Sequence, residues 1–147
     1  MKTEKNLKIR DFKTSDLPSI RRIIDANFEN PWSDSMILSE NSFTYKTVAV
    51  IEKQIVGFLS GEIMYDESNI LMIAVDKSFQ RRGIGRALVS NFLEKVRSCK
   101  ISSVYLEVSK NNDIALNFYR KLNFKEYGMR KSYYSNGEDA VLMKLDL

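Results

Sequence analysis

The chain contains no histidine and only one cysteine, Cys99, among its 147 residues. Without histidine there is no Ser-His-Asp triad, no imidazole base and no histidine-rich zinc site, so we expect no metal centre. A single cysteine forms no internal disulfide, which suits a reducing cytoplasm, and without a histidine partner it is a poor candidate nucleophile. Any proton transfer must therefore use a carboxylate, a tyrosine, a lysine, the ligand or water.

Long apolar runs are also missing. The two longest, Val48–Ile51 and Ile70–Val75, are far too short to cross a bilayer, so no membrane partner is expected. No basic run is interleaved with aromatic residues, and the net charge is only +4, which argues against direct nucleic-acid binding. The composition, 44% hydrophobic and 29% charged, is that of a globular protein, and the length predicts one domain over residues 1–147.

The apolar spacing predicts an α+β fold with about seven strands and about four helices, in the order β-α-α-β-β-β-α-β-α-β-β. We expect Thr14 or Ser15 to cap the first helix and Ser33 or Asp34 to cap the second. Short turns between the second, third and fourth strands predict an antiparallel meander. The predicted strands cover residues 7–12, 47–52, 55–65, 69–75, 104–108, 124–132 and 140–145, and the predicted helices 14–28, 33–41, 83–98 and 111–122.

A glycine-bearing turn joins the strand that ends at Asp76 to the helix that starts near Gly83. Several N–H groups at a helix start have no intrahelical partner, and the helix dipole adds positive charge there. Gly83 and Gly85 lack a Cβ and let a ligand approach the backbone. The segment therefore predicts a site for a phosphorylated ligand, although a turn whose glycines serve only geometry is the alternative. Its spacing matches neither a P-loop nor a Rossmann turn. The cations of this segment are Arg81, Arg82 and Arg86.

Further motifs follow in the second half: Leu106-Glu-Val108, then Asn111–Tyr119, then Leu122-Asn-Phe124. Together with Gln80–Gly85 and the element order, they make the chain similar to the GCN5-related N-acetyltransferases, the GNAT superfamily. The likeness is greater still to the branch that acetylates the N-terminal alanine of ribosomal proteins. The motifs that point to that branch are Asn30-Pro-Trp-Ser33, Ile73-Ala-Val-Asp76, Leu106-Glu-Val108 and Ser132-Tyr-Tyr134 leading into Glu138-Asp-Ala140.

The resemblance implies acetyl-CoA as cosubstrate, held between two splayed strands of a mixed sheet. Backbone groups of Ile73, Ala74 and Val75 would pair with the pantetheine arm. Asn112 would hydrogen-bond the CoA arm, while a simple helix N-cap is its other possible role. The residues that would wrap the pyrophosphate are Arg81, Arg82, Gly83, Ile84, Gly85 and Arg86.

The resemblance also implies Glu107 as general base and Tyr119 as the acid that protonates the departing thiolate. A free α-amine has a pKa of about 7.7–8.0, so a carboxylate can take its remaining proton. The apolar strand around Glu107 predicts a desolvated carboxylate with a raised pKa. A backbone N–H near Val75 would polarise the thioester carbonyl. The alternatives are a solvent-facing glutamate and a core tyrosine.

In relatives that acetylate protein N-termini, two loops grip the peptide, and here they correspond to Phe28–Trp32 and Tyr133–Asn136. The resemblance implies that Tyr133 and Tyr134 contact peptide backbone and that Glu29 faces the amine or a basic residue. Phe28 and Trp32 would line the peptide site or, alternatively, pack under the loop as a hydrophobic staple. The expected partner is therefore a protein N-terminus, with an alanine-starting ribosomal protein such as S18 as the leading acceptor.

Two other functions remain open at the level of sequence. One is a GNAT enzyme for another amine, such as a protein lysine, a polyamine or an antibiotic. The other is a non-catalytic acyl-CoA-binding module. The chain also departs from the family at Asn123, where a glycine often ends the helix in a left-handed conformation. Asparagine tolerates that conformation next best, so a left-handed Asn123 is predicted.

Overall fold

The computed structural model describes residues 6–147, so the first five residues of the predicted domain lie outside the described part. Within it, seven strands form one sheet, and the predicted element order is confirmed. The strands are β1 (Leu7–Asp11), β2 (Thr44–Ile51), β3 (Gln54–Ile63), β4 (Ser68–Val75), β5 (Ser103–Ser109), β6 (Lys125–Arg130) and β7 (Ala140–Asp146). The helices are α1 (Leu17–Asn27), α2 (Asp34–Leu38), α3 (Ile84–Ser98) and α4 (Asp113–Lys121).

The sheet is mixed, with the strand order β1-β2-β3-β4-β5-β7-β6. β2, β3 and β4 form the predicted antiparallel meander, and β1 pairs antiparallel with β2 at its edge. β4 and β5 are parallel neighbours, joined through α3, and β7 then inserts antiparallel between β5 and β6. None of the helices in residues 6–147 is long and apolar enough to span a membrane.

Each face of the sheet is covered by two helices. On one face, α3 and α4 bury residues such as Leu88 and Phe92 against the larger core cluster. On the other, called the α1 face below, α1 packs Ile20, Ile23 and Ile24 against Phe58. This spacing of three and four residues is what an amphipathic helix requires to present one apolar stripe. The sheet therefore has two separate apolar cores, and polar side chains emerge where helices do not cover it.

The predicted start of the first helix is wrong. Residues 14–16 form a short 3-10 turn before α1, and neither Thr14 nor Ser15 caps it. The carboxylate of Asp16 instead accepts a hydrogen bond from the Lys13 N–H at 2.8 Å and pairs with Arg10. The predicted cap of the second helix is confirmed. The Ser33 hydroxyl accepts a hydrogen bond from the N–H of Met36, in the first turn of α2, at 3.3 Å.

Gly61 lies where β3 passes close to α3. A Cβ at this position would lie 2.6 Å from Cε1 of Phe92 and 2.8 Å from the carbonyl oxygen of Asn69. We expect Gly61→Ala to lower the free energy of unfolding by about 1–3 kcal/mol, because the backbone oxygen cannot move aside. Urea unfolding measures the effect. The control is Gly128→Ala, whose Cβ would come no closer than 3.4 Å to Leu142, and equal losses in both variants would contradict the packing argument.

Candidate active site

β4 and β5 run side by side over only part of their length. Ser68–Ile70 pair with Val104–Leu106, and no pair follows. At this point the register of β4 against β3 shifts and leaves Leu71 as an extra, bulged residue. A bulge bends its strand and increases the local twist, so the two strands diverge beyond it. We call the space between Leu71–Val75 and Glu107–Ser109 the inter-strand gap.

The backbone of β4 supplies one edge of this gap. The Asp76 N–H bonds the Val56 carbonyl of β3 at 2.8 Å, so Asp76 faces β3. Backbone groups of successive residues in an antiparallel strand point alternately to the two sides. Ile73 therefore presents its N–H and C=O groups to the gap, and Val75 presents its N–H, while the Val75 carbonyl accepts side-chain amides of Asn27 and Gln80. Ala74 turns its own toward β3 and buries its side chain on the α1 face, so it does not contribute to this edge.

The turn predicted to bind an anion closes one end of the gap. Gly83 is the N-cap of α3 and has φ 81°, the left-handed conformation that favours glycine. Glycine is favoured at position 85 for a different reason, because a Cβ there would come within 3.2 Å of the Phe118 ring of α4. Arg81 and Arg86 are exposed and, within residues 6–147, form no ion pair. The free N–H groups and these cations are the features that a pyrophosphate requires.

Hydrogen bonds between side chains fix the end of β4 to α1 and to this turn. The Asn27 amide donates to the Val75 carbonyl at 3.0 Å and to the Ile23 carbonyl at 2.8 Å. The Gln80 amide donates to the same Val75 carbonyl at 3.3 Å and to Asn27 Oδ1 at 3.1 Å. This network holds the last gap-facing residue of β4 in one orientation.

An ion pair adds a second link between α1 and the turn. Arg22 Nη1 lies 2.9 Å from the buried Asp76 carboxylate, which also accepts the Ser78 N–H. Burial alone would raise the pKa of Asp76, but the hydrogen bonds from Arg22 and Ser78 outweigh it and hold that pKa below its usual range. Asp76 is therefore a structural carboxylate and not a proton acceptor at neutral pH.

Glu107 is the first residue of β5 beyond the last pair with β4. Its neighbours Leu106 and Val108 are buried among α3 and α4, so the Glu107 side chain points to the α1 face. That side chain is 32% exposed and lies 3.8 Å from Nε of Arg130. The expectation of apolar, desolvated surroundings is therefore wrong, because the apolar neighbours along a strand face the opposite side. Glu107 is accessible to an incoming amine.

Tyr119 lies in the opposite kind of environment. Its side chain is buried, with ring centroids 5.2 Å from Phe118 and 5.5 Å from Phe124. Burial, with a smaller contribution from Tyr134, raises the pKa of Tyr119 well above its usual range. The phenol therefore keeps its proton at any physiological pH. It packs as a core residue on α4 and also interacts electrostatically with Tyr134.

The loop between β6 and β7 carries Tyr133 and Tyr134 to this cluster. A hydrogen bond with Glu107, together with its negative charge, raises the pKa of Tyr133. Burial, followed by the charges of Glu107, Tyr133 and Glu138, raises the pKa of Tyr134 to about 12. The Glu138 carboxylate is hydrogen-bonded to Ser109, two residues beyond Glu107, which ties the loop to β5. Four of the predicted site residues are thus brought together: Glu107, Tyr119, Tyr133 and Tyr134.

The loop between α1 and α2 lies on the α1 face of the sheet. Phe28 and Trp32 are half-buried and pack on the core cluster of that face, as the staple alternative expects. Trp32 also lines an open cleft together with Leu71, so packing does not use its whole surface. Glu29 is exposed and makes no ion pair within residues 6–147.

Asn112 caps α4, since its side-chain oxygen accepts a hydrogen bond from the Ala115 N–H at 3.1 Å. This confirms the cap and leaves the amide nitrogen for other contacts. Ile84 is 1% exposed in the larger core, so only its backbone can meet a ligand.

Sequence reasoning did not identify Asn27 and Arg130. Neither residue stands in a motif, and each reaches the site from a distant part of the chain.

Comparison with known proteins agrees with this architecture. The model of the GNAT acetyltransferase family matches residues 17–124. The ribosomal protein bS18-alanine N-acetyltransferase of Escherichia coli is 29% identical over 143 residues, covering 95% of this chain and 97% of the relative. An N-alpha-acetyltransferase of Sulfurisphaera tokodaii is 34% identical, covering 68% of each chain. The crystal structure of Ard1 from Thermoplasma volcanium superimposes with a TM-score of 0.88 at 33% identity, covering 97% of this chain and 98% of that one.

The fold and the matched relatives define an acyl-transferring enzyme. The chain belongs to the GNAT family of acetyltransferases, because the family model spans most of its length. It is an N-acetyltransferase, as its relatives are.

Proposed function

We propose that the enzyme transfers the acetyl group of acetyl-CoA to the α-amino group of a protein N-terminus. The leading acceptor is an alanine-starting ribosomal protein of the S18 type. One observation carries this most strongly: Glu107, Tyr119, Tyr133 and Tyr134 form a single cluster at the point where β4 and β5 diverge. A base, an acid and two peptide-binding side chains at one place are what direct transfer to a peptide amine requires.

The inter-strand gap fits acetyl-CoA. Ile73 and Val75 offer backbone groups to a pantetheine arm, which would pair as an additional strand. The N–H groups at the start of α3, with Arg81, Arg82 and Arg86, would bind the pyrophosphate, and the free amide nitrogen of Asn112 would bind the CoA arm. Bound there, acetyl-CoA supplies the thioester whose acetyl group is transferred.

Glu107 would remove the proton that the attacking amine must lose. Its partly exposed carboxylate faces the side from which an acceptor arrives, and Tyr133 and Arg130 hold it in place. An α-amine with a pKa of about 8 is already partly neutral near pH 7, so a carboxylate is sufficient to accept the proton that remains. A lysine amine with a pKa of about 10.4 would need more assistance. This difference favours an α-amine as the acceptor.

Tyr119 would return a proton to the departing CoA thiolate. The burial that raises the tyrosine pKa also raises that of a thiol, whose ordinary value is about 8.5, so proton transfer between them remains feasible. No acyl-enzyme is needed, because the chain offers no histidine-activated nucleophile. The acetyl group would pass directly from sulfur to nitrogen, and the N–H of Val75 would polarise the carbonyl.

The choice of a protein acceptor rests on the two loops and on the relatives. The E. coli relative is named for the alanine of ribosomal protein bS18, and the Sulfurisphaera relative as an N-alpha-acetyltransferase. Phe28, Glu29 and Trp32 on one side and Tyr133 and Tyr134 on the other would hold the first residues of the peptide. A ribosomal acceptor suits a cytoplasmic enzyme. A single cysteine, which forms no internal disulfide, suits the reducing environment of the cytoplasm.

The purified protein would be incubated with acetyl-CoA and an alanine-starting peptide that has the N-terminal sequence of protein S18. The matched peptide has the same sequence with its α-amine blocked and one lysine free. Mass spectrometry then locates the acetyl group. We expect acetylation of the free N-terminus and none of the blocked peptide. Modification of lysine alone would refute the α-amine proposal in favour of another acceptor class.

A further inference from the structure

An open cleft of about 210 Å³ lies on the α1 face between α2 and the sheet. Trp32, Met36 and Leu71 form its apolar wall, and Met36 and Leu71 are 49% and 48% exposed. Its polar wall comes from the sheet and includes Thr44, Ser60 and Glu62. About 10–15 Å³ is enough to hold one water, so the cleft has room for a long side chain.

The cleft opens beside the predicted base. Ile70 and Leu106 form the last pair between β4 and β5, so Leu71 and Glu107 are the next residue on each strand. Both side chains project on the α1 face, where Leu71 lines the cleft. Paired neighbouring strands of a sheet lie about 4.8 Å apart, and Leu71 and Glu107 directly follow the last such pair. An amine held at Glu107 therefore places the residues that follow it within reach of the cleft.

The charges around the cleft favour a cation. Lys46 is buried nearby, but its ammonium lies 4.0 Å from Glu40 and over the Phe12 ring at 5.1 Å. Glu62 stands opposite Thr44 in the register of β2 and β3. Within the described part of the chain no lysine or arginine pairs with Glu62. Among these residues, the cleft thus combines apolar walls with one carboxylate that lacks a cationic partner.

We infer that this cleft is an acceptor subsite for a long side chain with a positively charged end, an arginine or a lysine, close to the N-terminus of the substrate. The stem of that side chain lies along Trp32, Met36 and Leu71, and its head pairs with Glu62. Such an arrangement is favourable because long cationic side chains bury their stems while their heads remain polar. An alanine at position 1 is too small to fill the cleft, so the occupant comes from a later residue. The inference rests on the proposed function.

The test uses alanine-starting peptides that carry a single arginine at position 2, 3 or 4, with glutamine or glutamate at that position as comparisons. Arginine avoids the second acetylation site that lysine would add. For the wild-type enzyme we expect kcat/KM to be about tenfold higher with arginine than with glutamine at one of these positions. Glu62→Gln should abolish that ratio, and Glu62→Lys should reverse it so that glutamate is preferred.

Asp66→Lys is the matched control. It changes the net charge as much as Glu62→Lys and lies on the same β3–β4 hairpin, but it is exposed and does not line the cleft. We expect Asp66→Lys to keep the arginine preference. The preference ratio is compared within each variant, so a partly unfolded protein does not imitate the effect.

An arginine preference that survives in Glu62→Lys, or that is lost equally in Asp66→Lys, would overturn the subsite while α-amine acetylation itself persists. The absence of any arginine preference in the wild type would also overturn the subsite. If no peptide is acetylated at its N-terminus, the proposed function fails and the subsite fails with it. The two failures are therefore distinguished by whether the glutamine peptide is acetylated.

Discussion

Replacing Tyr119 with phenylalanine should lower kcat by about 100-fold, with KM for acetyl-CoA and for the peptide nearly unchanged. The variant keeps the ring that packs between Phe118 and Phe124, so the fold is preserved. It loses only the proton that stabilises the departing thiolate. Steady-state measurement of CoA release with an alanine-starting peptide gives both constants.

The control for this variant is Tyr65→Phe, which removes a hydroxyl from a tyrosine that is 90% exposed on the β3–β4 turn. Its kcat should equal that of the wild type. Because burial raises the pKa of Tyr119, the wild-type rate should also show no fall attributable to loss of its proton below about pH 10, the ordinary pKa of tyrosine. Undiminished turnover by Tyr119→Phe would rule out the acid role.

Replacing Glu107 with glutamine should lower kcat/KM for the peptide by about 100-fold near neutral pH. The loss should shrink as the pH rises above about 8, because a larger fraction of the α-amine is then neutral without a base. Acetyl-CoA affinity should not change, since Glu107 faces the acceptor side. The pH dependence of kcat/KM in the wild type and the variant measures this difference.

The same substitution has a second signature. Glu107 raises the pKa of Tyr133 through a hydrogen bond and its negative charge, so the Tyr133 pKa should fall in Glu107→Gln. Spectroscopic titration of the tyrosines detects that shift. Glu52→Gln, an exposed change in the turn between β2 and β3, serves as the control and should alter neither quantity. A rate loss in Glu107→Gln that is equally large at every pH would contradict the proposed proton transfer.

Most of the fold followed from local sequence patterns. The meander, helix α3 and the Ser33 cap depend on periodicity and on nearby turn residues, which a sequence displays directly. Asn123 illustrates the same point, because it adopts φ 72° where the helix ends, as predicted. Such features need only a few neighbouring residues to be specified.

The details of the site depended on contacts that no local pattern shows. The bulge at Leu71 appears only when β4 is placed against β3, and it decides where the inter-strand gap begins. The polar surroundings of Glu107 come from Arg130 and Tyr133, which lie on other elements. The apolar neighbours of Glu107 along β5 suggested the opposite environment, because strand alternation places them on the other face.

In the proposed reaction, an acceptor amine meets the thioester where β4 and β5 diverge. The most direct test is a crystal structure with a conjugate that joins CoA through an acetyl bridge to the α-nitrogen of an alanine-starting peptide. We expect the pantetheine arm along Ile73 and Val75, the peptide nitrogen facing Glu107, and the sulfur facing Tyr119. A conjugate bound with its nitrogen remote from both Glu107 and Tyr119 would contradict the proposed reaction.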